Sequence, residues 1–90
     1  MDHQRLDKWL WCARFARQRE DCARMAESGL LRINRQPTDK SHARVRPGDV
    51  LTLPLGGPIA GRVRVVRVLA LSTRRGPPSE ALTLYEDLPP

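Results

Sequence analysis

Arg5 and Lys8 lie three residues apart, a spacing that sets two cations side by side on a helix. Arg14 and Arg17 repeat the interval, and Arg19, Arg24, Arg32, Arg35, Lys40, Arg44 and Arg46 continue the series. Such a set can bind a polyanion, because each guanidinium presents paired donors that fit a phosphate. Between Arg5 and Arg46 eleven basic residues stand against five acids, whereas residues 79–90 hold three acids and no base. The positive field therefore belongs to the first half of the chain. Across 90 residues the balance is 16 Lys and Arg to 10 acids, with a pI near 10.6, and this favours a polyanionic partner.

Other chemistries find little footing. Ser41 and His42 are neighbours in a loop, without the orienting carboxylate that a nucleophile–base pair needs. Asp7, Glu20, Asp21, Glu27 and Asp49 read as helix-surface or turn carboxylates, not as a converging acid–base pair. Gly56-Gly57-Pro58 lacks the Lys and helix of a phosphate-cradling loop. Nine residues separate Cys12 from Cys22, with no CxxC spacing, and His3 and His42 are the only histidines. No catalytic residue, metal or cofactor is expected. The cysteines read as reduced, packed thiols of a cytoplasmic protein. The most apolar run, Val63–Leu71, is broken by Arg64 and Arg67, so no membrane span is expected, and the first eight residues do not read as a signal peptide.

The elements that must hold the cations follow from periodicity. Leu6, Trp9, Leu10 and Ala13 mark one apolar face of a helix over 5–16, with Trp11 and Phe15 as a second strip, either core or a partly exposed patch. A second helix over 19–28 has Glu20 and Asp21 in its first turn, a small-residue face of Cys22, Ala23 and Ala26, and Gly29 as its left-handed C-terminal cap. Its N-cap is Gln18, a weak capping residue. Arg19 then sits at the positive end of that helix, whose backbone N–H groups can also meet phosphate.

Beyond Gly29 the period shortens. Leu31 and Ile33, Val45, Val50–Leu53 and Val63–Leu69 read as strands, with turns at Pro47-Gly48-Asp49 and Gly56-Gly57-Pro58. A loop over 72–78 leads to a short final helix capped by Ser79, with Leu82, Tyr85 and Leu88 along one side. The expected fold class is α+β: two packed helices, a small antiparallel sheet and a short C-terminal helix, in one domain over 1–90.

Arg5-Leu6-Asp7-Lys8-x-Leu10, then Arg19, Ala23 and Gly29, then Ile33-Asn34, then Val45-x-Pro47-Gly48-Asp49-Val50, resembles the S4 RNA-binding domain family over about residues 5–53. Residues 54–90 would complete the fold. Asp7-Lys8-Trp9-Leu10-Trp11, Arg74-Arg75-Gly76-Pro77, Glu80-Ala81 and Leu84-Tyr85-Glu86 are similar to its ribosome-associated heat-shock subfamily. The resemblance implies a non-enzymatic protein that binds structured rRNA of the large subunit, with tRNA on an obstructed subunit nearby, and that assists rescue or recycling. It implies RNA contacts from Arg5, Lys8, Arg19, Arg32, Asn34, Arg35, Lys40 and Arg44, with Arg17 and Arg24 beside them. A monomer, with no membrane partner, is expected.

The chain departs from that pattern in three places. Gln18 stands where Ser or Thr is usual, and Asn34-Arg35 replaces an Asn-Gly turn, placing a bulky side chain where positive φ is often required. The subfamily continues into a basic C-terminal segment, whereas this sequence stops at Leu88-Pro89-Pro90, so contacts made by that segment are expected to be absent. Two other classes stay open on the residues alone. One is a DNA-binding helix-turn-helix regulator, opposed by Glu20 and Asp21 where a recognition helix would meet DNA. The other is a protein-interaction module using Trp11, Phe15 and the acidic tail.

Overall fold

The computed structural model describes residues 2–55 and 62–89. Strand β1 (Gln4–Arg5) runs directly into α1 (Leu6–Cys12), and α2 (Arg19–Glu27) packs against it. Leu6, Trp9, Leu10 and Ala13 are buried, as their spacing predicts, and Cys22 and Ala26 of α2 join them in one core. Gln18 is the N-cap of α2 and makes no side-chain capping bond; its backbone carbonyl accepts from Asp21 and Cys22 instead. Gly29 adopts φ +80°, the left-handed conformation expected after the helix.

The first helix is shorter than the predicted 5–16. It ends at Cys12 because the chain turns left-handed at Arg14, with φ +64°. Arg14 N–H donates to the Trp11 carbonyl at 3.1 Å and Phe15 N–H reaches back to the Leu10 carbonyl at 3.0 Å. This pair of bonds closes a Schellman motif, a site that usually takes glycine. An L side chain there costs about 1 kcal/mol. Distant chain offsets it: Arg14 Nη1 donates to the Gly76 carbonyl at 2.9 Å, and Arg75 Nη1 donates to the carbonyls of Trp11 and Ala16, each at 2.8 Å. Trp11 and Phe15 prove intermediate, half-buried against the core.

After α2 come β2 (Arg32–Ile33), β3 (Gln36–Pro37), β4 (Arg44–Val45), β5 (Val50–Leu55) and β6 (Arg62–Val68). A four-residue α3 (Pro78–Ala81) precedes β7 (Tyr85–Leu88). Strands β3-β2-β5-β6-β7 form an antiparallel sheet in that order, while β1 and β4 pair separately. Leu51, Leu53, Val66, Val68 and Tyr85 face the helices and are buried; Val50, Thr52, Val65 and Arg67 alternate onto the outer face. The Pro47-Gly48-Asp49 turn forms as expected, with Gly48 at φ +97°. The expected turn at Gly56-Gly57-Pro58 lies outside the described residues.

The C-terminal end needs correction. Pro77, not Ser79, caps α3, with Pro78 at the first helical position, where a missing N–H costs nothing. The helix stops at Ala81, and Tyr85 and Leu88 belong to a strand, not to a helical side. Pairing with β6 wins there: the register sets Arg67 opposite Glu86 and Val68 opposite Tyr85, joining charge to charge and core to core.

The second half also grips the first directly. Trp9 Nε1 donates to the Ala70 carbonyl at 2.9 Å. The Gln4 amide donates to the Ser72 carbonyl at 2.6 Å and accepts from Ser72 N–H at 3.3 Å. These bonds satisfy polar groups that would otherwise be costly beside the core.

Candidate nucleic-acid interface

Asp7 organises the basic surface. Sequence position suggested a solvated helix carboxylate, yet the side chain is only 6% exposed. Leu6 and Asp7 N–H groups donate to the carbonyls of Ala43 and Ser41, so the chain before β4 lies across the start of α1 and shields position 7. The carboxylate accepts from Lys8 N–H at 2.8 Å and from Arg5 Nε and Nη2 at 3.1 and 3.0 Å. Arg19 Nη2 approaches it at 3.7 Å. One buried anion thus holds a cation from the start of α1 and another from the start of α2, both about half exposed.

The same crossing chain brings in Arg44. Strands β1 and β4 place Arg5 directly opposite Arg44, and Lys8 stands beside them. Together with His3, Gln4 and His42 they line a groove of about 490 Å³. Arg5, Lys8, Arg19 and Arg44 are therefore gathered as one surface. Lys40 lies on the approach to it, paired loosely with Asp39 at 3.7 Å.

The hairpin residues sit differently. Asn34 and Arg35 both have positive φ, +51° and +71°, which makes the two-residue turn of the type that suits a tight hairpin. Arg35 therefore occupies the position where the sequence departs from Asn-Gly. The Asn34 amide is engaged within the fold: Nδ2 donates to Asp49 at 3.0 Å, and Oδ1 accepts from Val50 N–H at 2.9 Å. Asn34 and Arg35 line a separate cavity on the outer sheet face with Thr52, Val65 and Leu88, and Arg32 lies opposite Thr52. Arg17 is exposed between the helices, and Arg24 is exposed but ion-paired with Asp21 on its own helix.

Charges in the second half are largely matched. Arg64 clasps Asp87 with bonds of 2.7 and 3.1 Å, Arg67 pairs with Glu86, and Arg74 pairs with Glu80 at 3.1 Å. The acidic tail thus offsets Arg64, Arg67 and Arg74, and most of the excess positive charge remains with the helices and first hairpin. The Arg64 guanidinium lies over the Phe15 and Tyr85 rings, 5.2 and 5.4 Å from their centroids. Its hydrogen bonds hold the Asp87 carboxyl below the ordinary carboxylate range. Burial pushes the Cys12 thiol up and the Cys22 thiol to about 11, so neither is poised as a nucleophile.

Sequence reasoning missed the parts that Asp7 and Arg75 play in holding this surface and the end of α1. For Asp7 a signal was present, since an acid flanked by Arg5 and Lys8 stands where a helix begins. Arg75 gave none, because its partners lie 59 and 64 residues away.

Residues 4–51 match the S4 domain. The chain belongs to the S4 domain family. Heat shock protein 15 of Escherichia coli K12 is 41% identical over 83 residues, covering 92% of this chain and 59% of that protein. The Haemophilus influenzae homolog of heat shock protein 15 is 37% identical over 83 residues, covering 92% of this chain and 60% of its own length. The chain thus spans about three-fifths of the curated relatives it matches. A trimeric structure of Vibrio cholerae heat shock protein 15 superposes with a TM-score of 0.84 at 32% identity, covering 97% of this chain and 83% of that one. Membership of the S4 family supports RNA binding. The α+β architecture agrees with the expectation. Among the described residues no helix is long and apolar enough to cross a membrane.

Proposed function

We propose that the chain is a non-enzymatic RNA-binding protein, engaging structured rRNA of the large ribosomal subunit and assisting rescue or recycling of stalled subunits. The observation that carries this reading is the Asp7-centred surface, where Arg5, Lys8, Arg19 and Arg44 converge while Arg64, Arg67 and Arg74 are each paired with an acid of the tail. A-form RNA hides its deep groove from side chains, so contacts to phosphate and 2′-OH suit such a surface. Arg32, Asn34, Arg35 and Lys40 would extend it along the hairpin and loop, with Arg17 and Arg24 at its helical margin. tRNA held on an obstructed subunit is a further partner in this reading, and the protein acts in the cytoplasm.

A salt titration with an RNA stem-loop tests it. Neutralising about four to six phosphates gives a slope of log K against log salt of roughly −3 to −5. A slope near zero, or equal affinity for duplex DNA, would reject the reading. Sedimentation of a lysate through a gradient then tests the ribosomal part: co-migration with free large subunits is expected, and migration only at the top of the gradient would defeat it. The same gradient, run on purified protein, reports whether it is the expected monomer or associates like the Vibrio cholerae relative.

A further inference from the structure

The groove beside β1 contains two groups that the RNA-binding surface has not yet used. His3 and His42 line it with Arg5, Lys8 and Arg44, His3 half-buried and His42 exposed. The strand pairing sets Arg5 opposite Arg44, and like charges in that relation oppose pairing. The nearby acids are already committed or peripheral. Asp7, beneath the groove, is shared by Arg5, Arg19 and the Lys8 N–H. Asp2, 90% exposed at the rim, holds His3 Nδ1 at 2.8 Å, and Arg46 lies near enough to act on it. Asp39, ahead of His42 in the loop, pairs with Lys40. Among the described residues neither Lys8 nor Arg44 forms an ion pair. A concave site with this charge is completed by an anion.

We propose that this groove seats a backbone phosphate of RNA, and that His3 and His42 close its wall as imidazolium groups, so that RNA binding takes up protons. The inference rests on the RNA-binding reading and adds two contacts to it. An imidazole ring gains its positive charge by taking up a proton. A phosphate beside it favours the charged form, and by linkage protonation then favours the phosphate. Seating the phosphate relieves the repulsion between Arg5 and Arg44.

The test is the affinity for an RNA stem-loop between pH 8 and 5.5 at constant ionic strength. Native protein should bind roughly five- to tenfold more tightly at the acid end. His3→Gln with His42→Gln should lose the acid enhancement, its affinity changing little between pH 8 and 5.5. His42→Arg should bind tightly at both ends with a reduced pH dependence. Circular dichroism confirms that each variant is folded; both side chains are outside the core. Native affinity that stays flat with pH, or a double variant that keeps the enhancement, overturns the inference while leaving the salt-dependent RNA reading intact. Absence of binding at every pH ends both.

Discussion

Arg75 lies over the Trp11 ring, 5.7 Å from its centroid, and donates to the Trp11 backbone carbonyl at 2.8 Å. A residue near the far end of the chain thereby caps the first helix, holding an open carbonyl at the point where α1 turns into a left-handed corner. Arg75→Ala should lower stability by about 1–3 kcal/mol, combining a lost charged hydrogen bond with lost cation–π contact. Thermal melting should show the loss. RNA affinity of the folded variant should keep its salt slope, because Arg75 is turned toward the protein. A reduced slope with an unchanged Tm would instead place Arg75 at the RNA.

Asp7→Asn removes one negative charge yet should weaken RNA binding. The buried carboxylate orients Arg5 and Arg19, and an amide cannot accept from both with equal strength. Stability should fall by about 1–3 kcal/mol, since Arg5, Arg19 and the Lys8 N–H share one acceptor. Tighter binding on a par with the gain in charge would show that the two arginines need no orientation.

Arg35 occupies a left-handed turn position at φ +71°. Arg35→Gly should stabilise the fold by about 0.5–1 kcal/mol. If its guanidinium meets phosphate in the complex, the same change flattens the salt slope by roughly 0.7–0.9, and Arg35→Lys restores the slope without the gain in Tm. A lower Tm for the Gly variant with affinity unchanged would defeat both parts and make Arg35 a packing residue.

The Arg64–Asp87 pair should support the fold only above the acid range. Its hydrogen bonds depress the Asp87 carboxyl in the folded state, so the contribution is full above the unfolded carboxyl's titration near pH ~4. It disappears as pH falls through the lower folded value. Melting curves of Asp87→Asn should therefore lie below native at pH 7 and converge with it toward pH 2. With both partners partly exposed the difference should be small. Parallel curves at all pH values would show that the pair's charge is immaterial.

Cys22 should resist alkylation at pH 8, because its thiol is buried and pushed up to about 11. Iodoacetamide should label Cys12 and Cys22 only as denaturant unfolds the chain, tracking the unfolding curve. Rapid labelling of folded protein would contradict their packing.

Local chemistry made part of this structure legible. Ala23, Ala26 and Gly29 defined a helix and its end because their signals lie within a few residues. Asn34-Arg35 marked a strained turn because only the identity at one position was unusual. The S4 pattern located Arg5, Lys8 and Arg19 near one another. What escaped the sequence depends on partners far along the chain. Arg14 reads as a helix interior until Gly76 and Arg75 arrive to hold the left-handed corner. Tyr85–Leu88 has helical spacing, but β6 supplies both a hydrogen-bonding edge and arginines matched to Glu86 and Asp87. The flanking Arg5 and Lys8 hinted that Asp7 is paired, but its burial depends on residues 41–43 crossing over it, which lie far along the chain.

The sheet order places β3 and β7 on the outside, and this limits what can grow from it. β3 is two residues long and ends in Pro37, which has no N–H to offer an incoming strand. β7 carries Glu86 and Asp87 and gives way at once to Pro89. Neither flank is a long, flat, apolar template of the kind that recruits other chains. The ends of the five-stranded sheet thus offer an incoming strand little to pair with.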